Sequence, residues 1–255
     1  MTLLAIAAAP ACEGLRDGPL GTVTQIVDGD TLLLDSGRVV RLVGIQAPHL
    51  ALGRDGLDDW PEGETARQAL ATIALGQKVI LRYGGAETDR YGRALAQVFV
   101  RDDPEIWVQQ RMLATGMARV YSFPDNRACL PELFAAESGA RSQRLGIWAD
   151  PYYTVRRAER PDDLLPLAGH FELVEGRVLK AEKTGGGVYL NFGRRFKEDF
   201  TAVIDSRALR LFTHDKIDPL RLAGLLVRIR GWLEVKDGPR IEVSHPEQIE
   251  VLAAP

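Results

Sequence analysis

The chain has 255 residues, of which 45% are apolar and 26% charged, and its net charge is −3. That balance supports one or two globular domains with a sizeable core and excludes a low-complexity or disordered chain. It does not point to a generic nucleic-acid binder, which would normally carry a basic face or tail, while leaving room for a local basic cleft.

Residues 1–12 open with the apolar run Leu3 to Ala9, followed by Ala9-Pro10-Ala11, the pattern of a signal-peptide end. The run is too short to span a bilayer, so no integral membrane span is expected. A charged start is missing, which leaves an exported protein, periplasmic or secreted, or an apolar arm on a cytoplasmic one; Cys12 directly after Ala11 also raises lipidation, although Ala9 and Pro10 fit a lipobox poorly. Residues 1–19 are therefore set apart from the domain at 20–155. The only cysteines, Cys12 and Cys129, belong to no metal-like cluster. In an oxidising compartment they would form one disulfide, and in the cytoplasm they would stay reduced.

Alternation of apolar residues over 21–45, with Val23, Ile26, Leu32, Leu34, Val39 and Leu42, predicts strands. A helix is predicted over Gly63 to Leu75, then strands at Val79 to Tyr83 and Leu95 to Phe99. Helical spacing returns at Trp107 to Thr115, ended by Gly116, and at Pro131 to Arg144, where Leu133, Phe134 and Ala140 share a face. Residues 150–163 mix proline and charge, the composition of a linker. Beyond it, 166–255 read as strands at Phe171 to Ala181, Val188 to Phe192, Thr201 to Ile204, Leu225 to Val235 and Arg240 to Val243, with a helix near Ser206 to Phe212. That is the element order of an OB fold. The fold class expected is mainly β with helices (α+β), with a second, smaller OB-like β domain.

Chemistry concentrates in Asp28-Gly29-Asp30-Thr31, Arg41 and Asp89-Arg90-Tyr91-Gly92-Arg93. Hard cations take carboxylate oxygens, and the planar fork of arginine matches phosphate. Taken alone, Asp28 and Asp30 fit a hairpin turn equally well, and Arg41 fits the exposed rim of an alternating strand. No Walker loop, Gly-x-Gly-x-x-Gly fingerprint, Cys/His zinc series or Gly-x-Ser-x-Gly elbow is present.

These motifs, with Arg41-Leu42-Val43-Gly44-Ile45, Ala47-Pro48, Gly63-Glu64-Thr65-Ala66 and Leu145-Gly146-Ile147-Trp148, stand in an order and spacing that resembles the staphylococcal nuclease (thermonuclease) family over about residues 20–150. The resemblance implies a five-stranded OB-type barrel with three helices and a metal-dependent nuclease, Ca²⁺ being the expected ion with Mn²⁺ or Mg²⁺ as alternatives. It implies Asp30, Asp28 and the residue at 46 as metal ligands, Arg41 and Arg93 as the phosphate clamp, and Tyr91 and Tyr121 as nucleotide contacts. The family's Asp-x-Pro-Glu segment, however, reads Gln46-Ala47-Pro48-His49 here. Gln46 keeps an oxygen but loses a charge, which weakens a Ca²⁺ site. His49 is either a replacement general base, which also ligates transition metals, or a plain loop histidine. Asp55, Asp58, Asp59, Glu62 and Glu64 are the nearby acids that could supply a carboxylate, although Glu64 also suits a helix start facing solvent.

The reaction implied is water attack on the phosphorus of DNA or RNA, by a monomer, with no covalent intermediate. The alternative is a catalytically weak or inactive nuclease-fold protein that binds nucleic acid or protein. In the C-terminal part, Tyr189, Phe192, Phe196, Phe200 and Trp232 are either base-stacking or core aromatics, with Arg194, Arg195 and Lys197 as backbone contacts. Residues 161–255 hold 14 Lys plus Arg against 15 Asp plus Glu, a balance of −1 that does not favour nucleic acid.

Overall fold

The computed structural model describes residues 12–53, 56, 58–195 and 197–252. The chain divides between Tyr152 and Tyr153 into two compact units, each with its own hydrophobic core.

The first unit contains β1 (Arg16–Asp28), β2 (Thr31–Leu34), β3 (Val39–Leu42), β4 (Gly44–Gln46), α1 (Gly63–Ala74), β5 (Lys78–Tyr83), β6 (Ala94–Val100), β7 (Ile106–Trp107), α2 (Val108–Ala114), β8 (Arg119–Tyr121) and α3 (Leu130–Ser142). The long β1 serves two neighbours: its first half pairs antiparallel with β5 and its second with β2. Irregularities between Asp17 and Leu20, Val23 and Gln25, and Ile26 and Asp28 let it bend that far. β3 then pairs in parallel with β6, Val40 opposite Ala94 and Leu42 opposite Ala96, closing β1, β2, β3, β6 and β5 into a five-stranded barrel. Leu32, Leu34, Val40 and Leu42, two apart on their strands, all fill the core, as alternation requires. In α1, Ala66, Leu70 and Ala74 form one buried stripe at four-residue spacing.

Apart from the start of β1, the expected helices and the strands at Val79 to Tyr83 and Leu95 to Phe99 agree with the observed ones to within about two residues. One addition is the two-stranded ribbon β4–β8, with Gly44 opposite Tyr121 and Gln46 opposite Arg119. Strands of three residues leave no readable alternation. The separate N-terminal segment needs correction at its end: Arg16 and Asp17 already pair with Tyr83 and Arg82, so β1 starts before residue 20. Cys12 is disulfide-bonded to Cys129 at the head of α3, with a Cα–Cα distance of 5.2 Å. The signal-like run itself, in residues 1–11, lies outside the described residues.

The second unit contains β9 (Arg156–Arg157), α4 (Pro161–Leu164), β10 (Phe171–Arg177), β11 (Lys180–Thr184), β12 (Gly187–Asn191), β13 (Thr201–Ile204), α5 (Leu209–His214), β14 (Leu226–Val235), β15 (Pro239–Val243) and β16 (Ile249–Val251). They form one curled sheet in the order β11-β12-β13-β15-β14-β10-β9, with β16 on β14. β10 and β11 are separated only by residues 178–179. Taken as one bent strand, they give the pairing order of the first unit, in which the third and fifth strands are the parallel pair, here β13 and β15. Gly185 and Gly186, both at positive φ, make the hairpin between β11 and β12, opposite Thr184–Gly187.

From Tyr153 onward, the stretch expected as a linker is built into this unit. Arg156 and Arg157 pair with Val174 and Glu175, Arg156 bonds the buried Glu172 at 3.1 Å, and Ala158 is buried in the second core. Phe192 and Phe200 are core residues whose rings lie tilted 5.0 Å apart, which excludes them as base platforms, whereas Trp232 is exposed. Phe196 lies outside the described residues.

Candidate active site

The β1–β2 turn carries the acidic pair. Gly29 is required there by packing: a Cβ would lie 2.5 Å from the Ala47 Cβ and 2.9 Å from that of Ala66, so the turn docks directly on α1. Asp28 shapes the turn by accepting the Asp30 N–H at 3.1 Å. Asp30 is buried. Its carboxylate accepts from the Ala47 N–H at 2.9 Å and the Thr31 hydroxyl at 3.2 Å, and it pairs with Arg41 at 3.0 Å. Burial pushes its pKa up from 3.8 to about 7; the Asp28 charge adds to the rise, while Arg41 and the Ala47 N–H pull against it.

Arg41 and Arg93 are held in different ways. The Arg41 guanidinium bonds the carbonyls of Leu42 (2.6 Å) and Ile45 (2.9 Å) as well as Asp30, so both terminal nitrogens are engaged within the fold. Arg93 is anchored through Nε to Asp89 at 2.7 Å, and among the described residues its two terminal nitrogens carry no hydrogen bond. Burial would raise the Asp89 pKa, but hydrogen bonds from the Arg93 side chain and backbone and from the Tyr91 N–H outweigh it, so the carboxylate is held below its usual range. Arg93 precedes β6, and in the β3–β6 register Arg41 lies opposite Leu95, two residues on. By strand alternation Arg41 and Arg93 belong to one face of neighbouring strands. Tyr91 is 68% exposed, with the guanidinium of Arg90 4.8 Å and that of Arg93 5.7 Å from its ring centre. Ser36, Arg38, Tyr91 and Arg93 line an open depression there of about 430 Å³.

The Gln46 segment forms a third group. Its side-chain oxygen accepts from Arg119 at 3.1 Å across the β4–β8 ribbon. The Arg119 guanidinium lies 5.9 Å from the Trp60 ring centre, and Trp60 meets His49 edge-on at 5.9 Å and Tyr152 at 6.2 Å. Neither Arg119 nor Trp60 was expected from sequence. Their only signal there is a charge inside the apolar stretch Ala118 to Tyr121 and a tryptophan in an acidic loop.

The remaining residues have other settings. Tyr121 packs edge-on against Phe123 at 4.7 Å. Asp59 accepts from the Ala51 N–H at 2.7 Å. Glu64 faces solvent as expected and is held to about pH 2 by hydrogen bonds from Arg67 and Gln68. Asp55 lies outside the described residues. Among the described residues, no group of three or more His, Cys, Asp or Glu is placed to hold a metal ion, and no helix is long and apolar enough to cross a membrane.

A family model described as staphylococcal nuclease homologue matches residues 39–150. The chain is 39% identical to protein ParB of Escherichia coli over 156 residues, 58% of this chain and 80% of ParB. It is 32% identical to the micrococcal nuclease of Shigella flexneri over 155 residues, 57% of this chain and 80% of that one. With the thermonuclease of Staphylococcus intermedius the identity is 28% over 129 residues, 49% and 74% of the two chains.

Proposed function

Because this chain belongs to the staphylococcal nuclease family, we propose that its first unit hydrolyses the phosphodiester backbone of DNA or RNA. The observation that carries the reading is Arg93. Asp89 fixes its Nε, leaving two terminal nitrogens free to donate in parallel to a phosphate beside the buried Asp30–Arg41 pair.

Asp28 and Asp30 fit a hard divalent cation, because a carboxylate whose pKa is pushed up by burial, and further by a neighbouring carboxylate, is stabilised in its charged form by positive charge. Ca²⁺ is the ion proposed, with Mn²⁺ or Mg²⁺ as alternatives. When bound there it supplies a polarised water and neutralises charge on the phosphate. Arg93 grips the phosphoryl oxygens, and Arg41 keeps Asp30 oriented while adding positive charge behind it. His49 takes the proton of the attacking water at a ring nitrogen, and Tyr91 and Tyr121 contact the nucleotide. The substrate is nucleic acid and the working form a monomer. The Cys12–Cys129 bond favours export to an oxidising compartment.

A second reading, a nuclease fold that binds nucleic acid or protein without efficient turnover, is favoured by Gln46, an amide where the family carries a carboxylate. Degradation of single-stranded DNA with Ca²⁺, Mg²⁺ or Mn²⁺, against chelator, separates the two. Cleavage that chelator abolishes, and that Arg93→Ala lowers by about 10²–10³-fold as loss of one charge-stabilising donor does, is the expected result. Cleavage no greater than that of an Arg41→Ala, Arg93→Ala double variant with every metal would overturn the nuclease reading.

A further inference from the structure

We propose that Gln46 acts as a hydrogen-bond donor to a phosphodiester oxygen, its amide held in that sense by Arg119, and that it is not a ligand to a cation. The proposal rests on the nuclease reading above and gives one position of that site a different chemistry from the carboxylate it replaces.

The argument begins with what each group can do. A guanidinium donates and cannot accept, so the Gln46 atom 3.1 Å from Arg119 Nη2 is the amide oxygen. The amide nitrogen is thereby turned the other way. Among the described residues it donates to nothing, and Gln46 is only half-buried, so its two N–H groups remain available. The next residue, Ala47, gives its backbone N–H to Asp30, which brings the peptide link after Gln46 against the acidic turn and the Arg41 paired with it.

Arg119 is not free to yield that oxygen. It is 3% exposed, it lies opposite Gln46 in the ribbon, and its guanidinium rests near the face of Trp60. The strand under it is tied to α3, where the buried Glu137 accepts the N–H of Val120 at 2.7 Å. A dication on the Gln46 oxygen would share it with a buried positive charge, an arrangement Coulomb repulsion opposes. A phosphate oxygen approaching the amide nitrogen meets the opposite condition: two open donors with Arg119 behind them and Arg41 alongside.

The test uses Gln46→Glu, a nearly isosteric change that removes both donors and adds a carboxylate. Ca²⁺ binding is followed by calorimetry without nucleic acid, and binding of a labelled single-stranded DNA octamer is followed by fluorescence anisotropy in chelator, where no turnover occurs. The expected outcome is Ca²⁺ affinity within about threefold of the parent protein, since Arg119 engages the new carboxylate, together with DNA affinity lowered about tenfold or more. A tenfold or greater gain in Ca²⁺ affinity, or unchanged DNA affinity, would overturn the proposal. Gln46→Met, which removes the donors without adding charge, should also weaken DNA binding, and a parental affinity in that variant would count against the donor role. The calcium titration reads Gln46 without substrate, whereas the cleavage assay keeps Gln46 intact, so failure here and failure of the nuclease reading are separable.

Discussion

Replacing Glu137 by alanine should destabilise the first unit by about 3–5 kcal/mol, the range for breaking a buried ion pair from one side. Glu137 is fully buried on α3; one carboxylate oxygen accepts the Val120 N–H at 2.7 Å and the other pairs with Arg141 at 3.0 Å. Removal of the acceptor of a buried amide costs about 1–3 kcal/mol. Loss of the counter-charge to Arg141, whose side chain is only 15% exposed, makes up the rest. Glu137→Gln keeps an acceptor for Val120 and loses only the charge, so its cost should be about 1–2 kcal/mol. Urea denaturation followed by tryptophan fluorescence, with slopes compared to confirm a common denatured state, measures both variants. Equal stability of Glu137→Ala and Glu137→Gln, or a loss below about 1 kcal/mol in the alanine variant, would refute this account of how α3 supports β8.

The remaining expectations concern the disulfide and the acidic pair. Cys12 and Cys129 are 117 residues apart, so reduction should cost about 4–5 kcal/mol on chain-entropy grounds. Native protein should show no thiol reactive to Ellman's reagent, and two reactive thiols would refute the pairing. For Asp30, a folded-state pKa of about 7 against 3.8 means that the folded chain keeps a proton the unfolded chain has lost. In chelator, stability should therefore decline from about pH 4 to about pH 7 and then level off. That decline should be absent in Asp30→Asn, and parallel pH profiles for the two proteins would contradict it.

Much of the first unit was legible in the sequence because its burial is local. Leu32 and Leu34, or Ala66, Leu70 and Ala74, carry the period of their element whatever surrounds them. The turn at Asp28-Gly29-Asp30 was legible as a turn because Asp bonds its own backbone there. Less could be read wherever a partner distant in sequence decides the role. Arg156 resembles linker charge until Glu172 is placed against it. Arg41 reads as an open clamp until the Leu42 and Ile45 carbonyls engage it. Arg119 carries no readable role in the sequence, because β4 and β8, each too short to show a pattern, are what bring it against Gln46.

The bridge between Cys12 and Cys129 also governs what cutting the chain would do. Any break in the peptide between those two residues, for example in the loop between β4 and α1, leaves two fragments that are still one covalent molecule. The barrel strands on either side of the cut would stay tethered at high effective concentration and could remain paired. Proteolytic damage in an oxidising medium would then be invisible to size until a reductant was added.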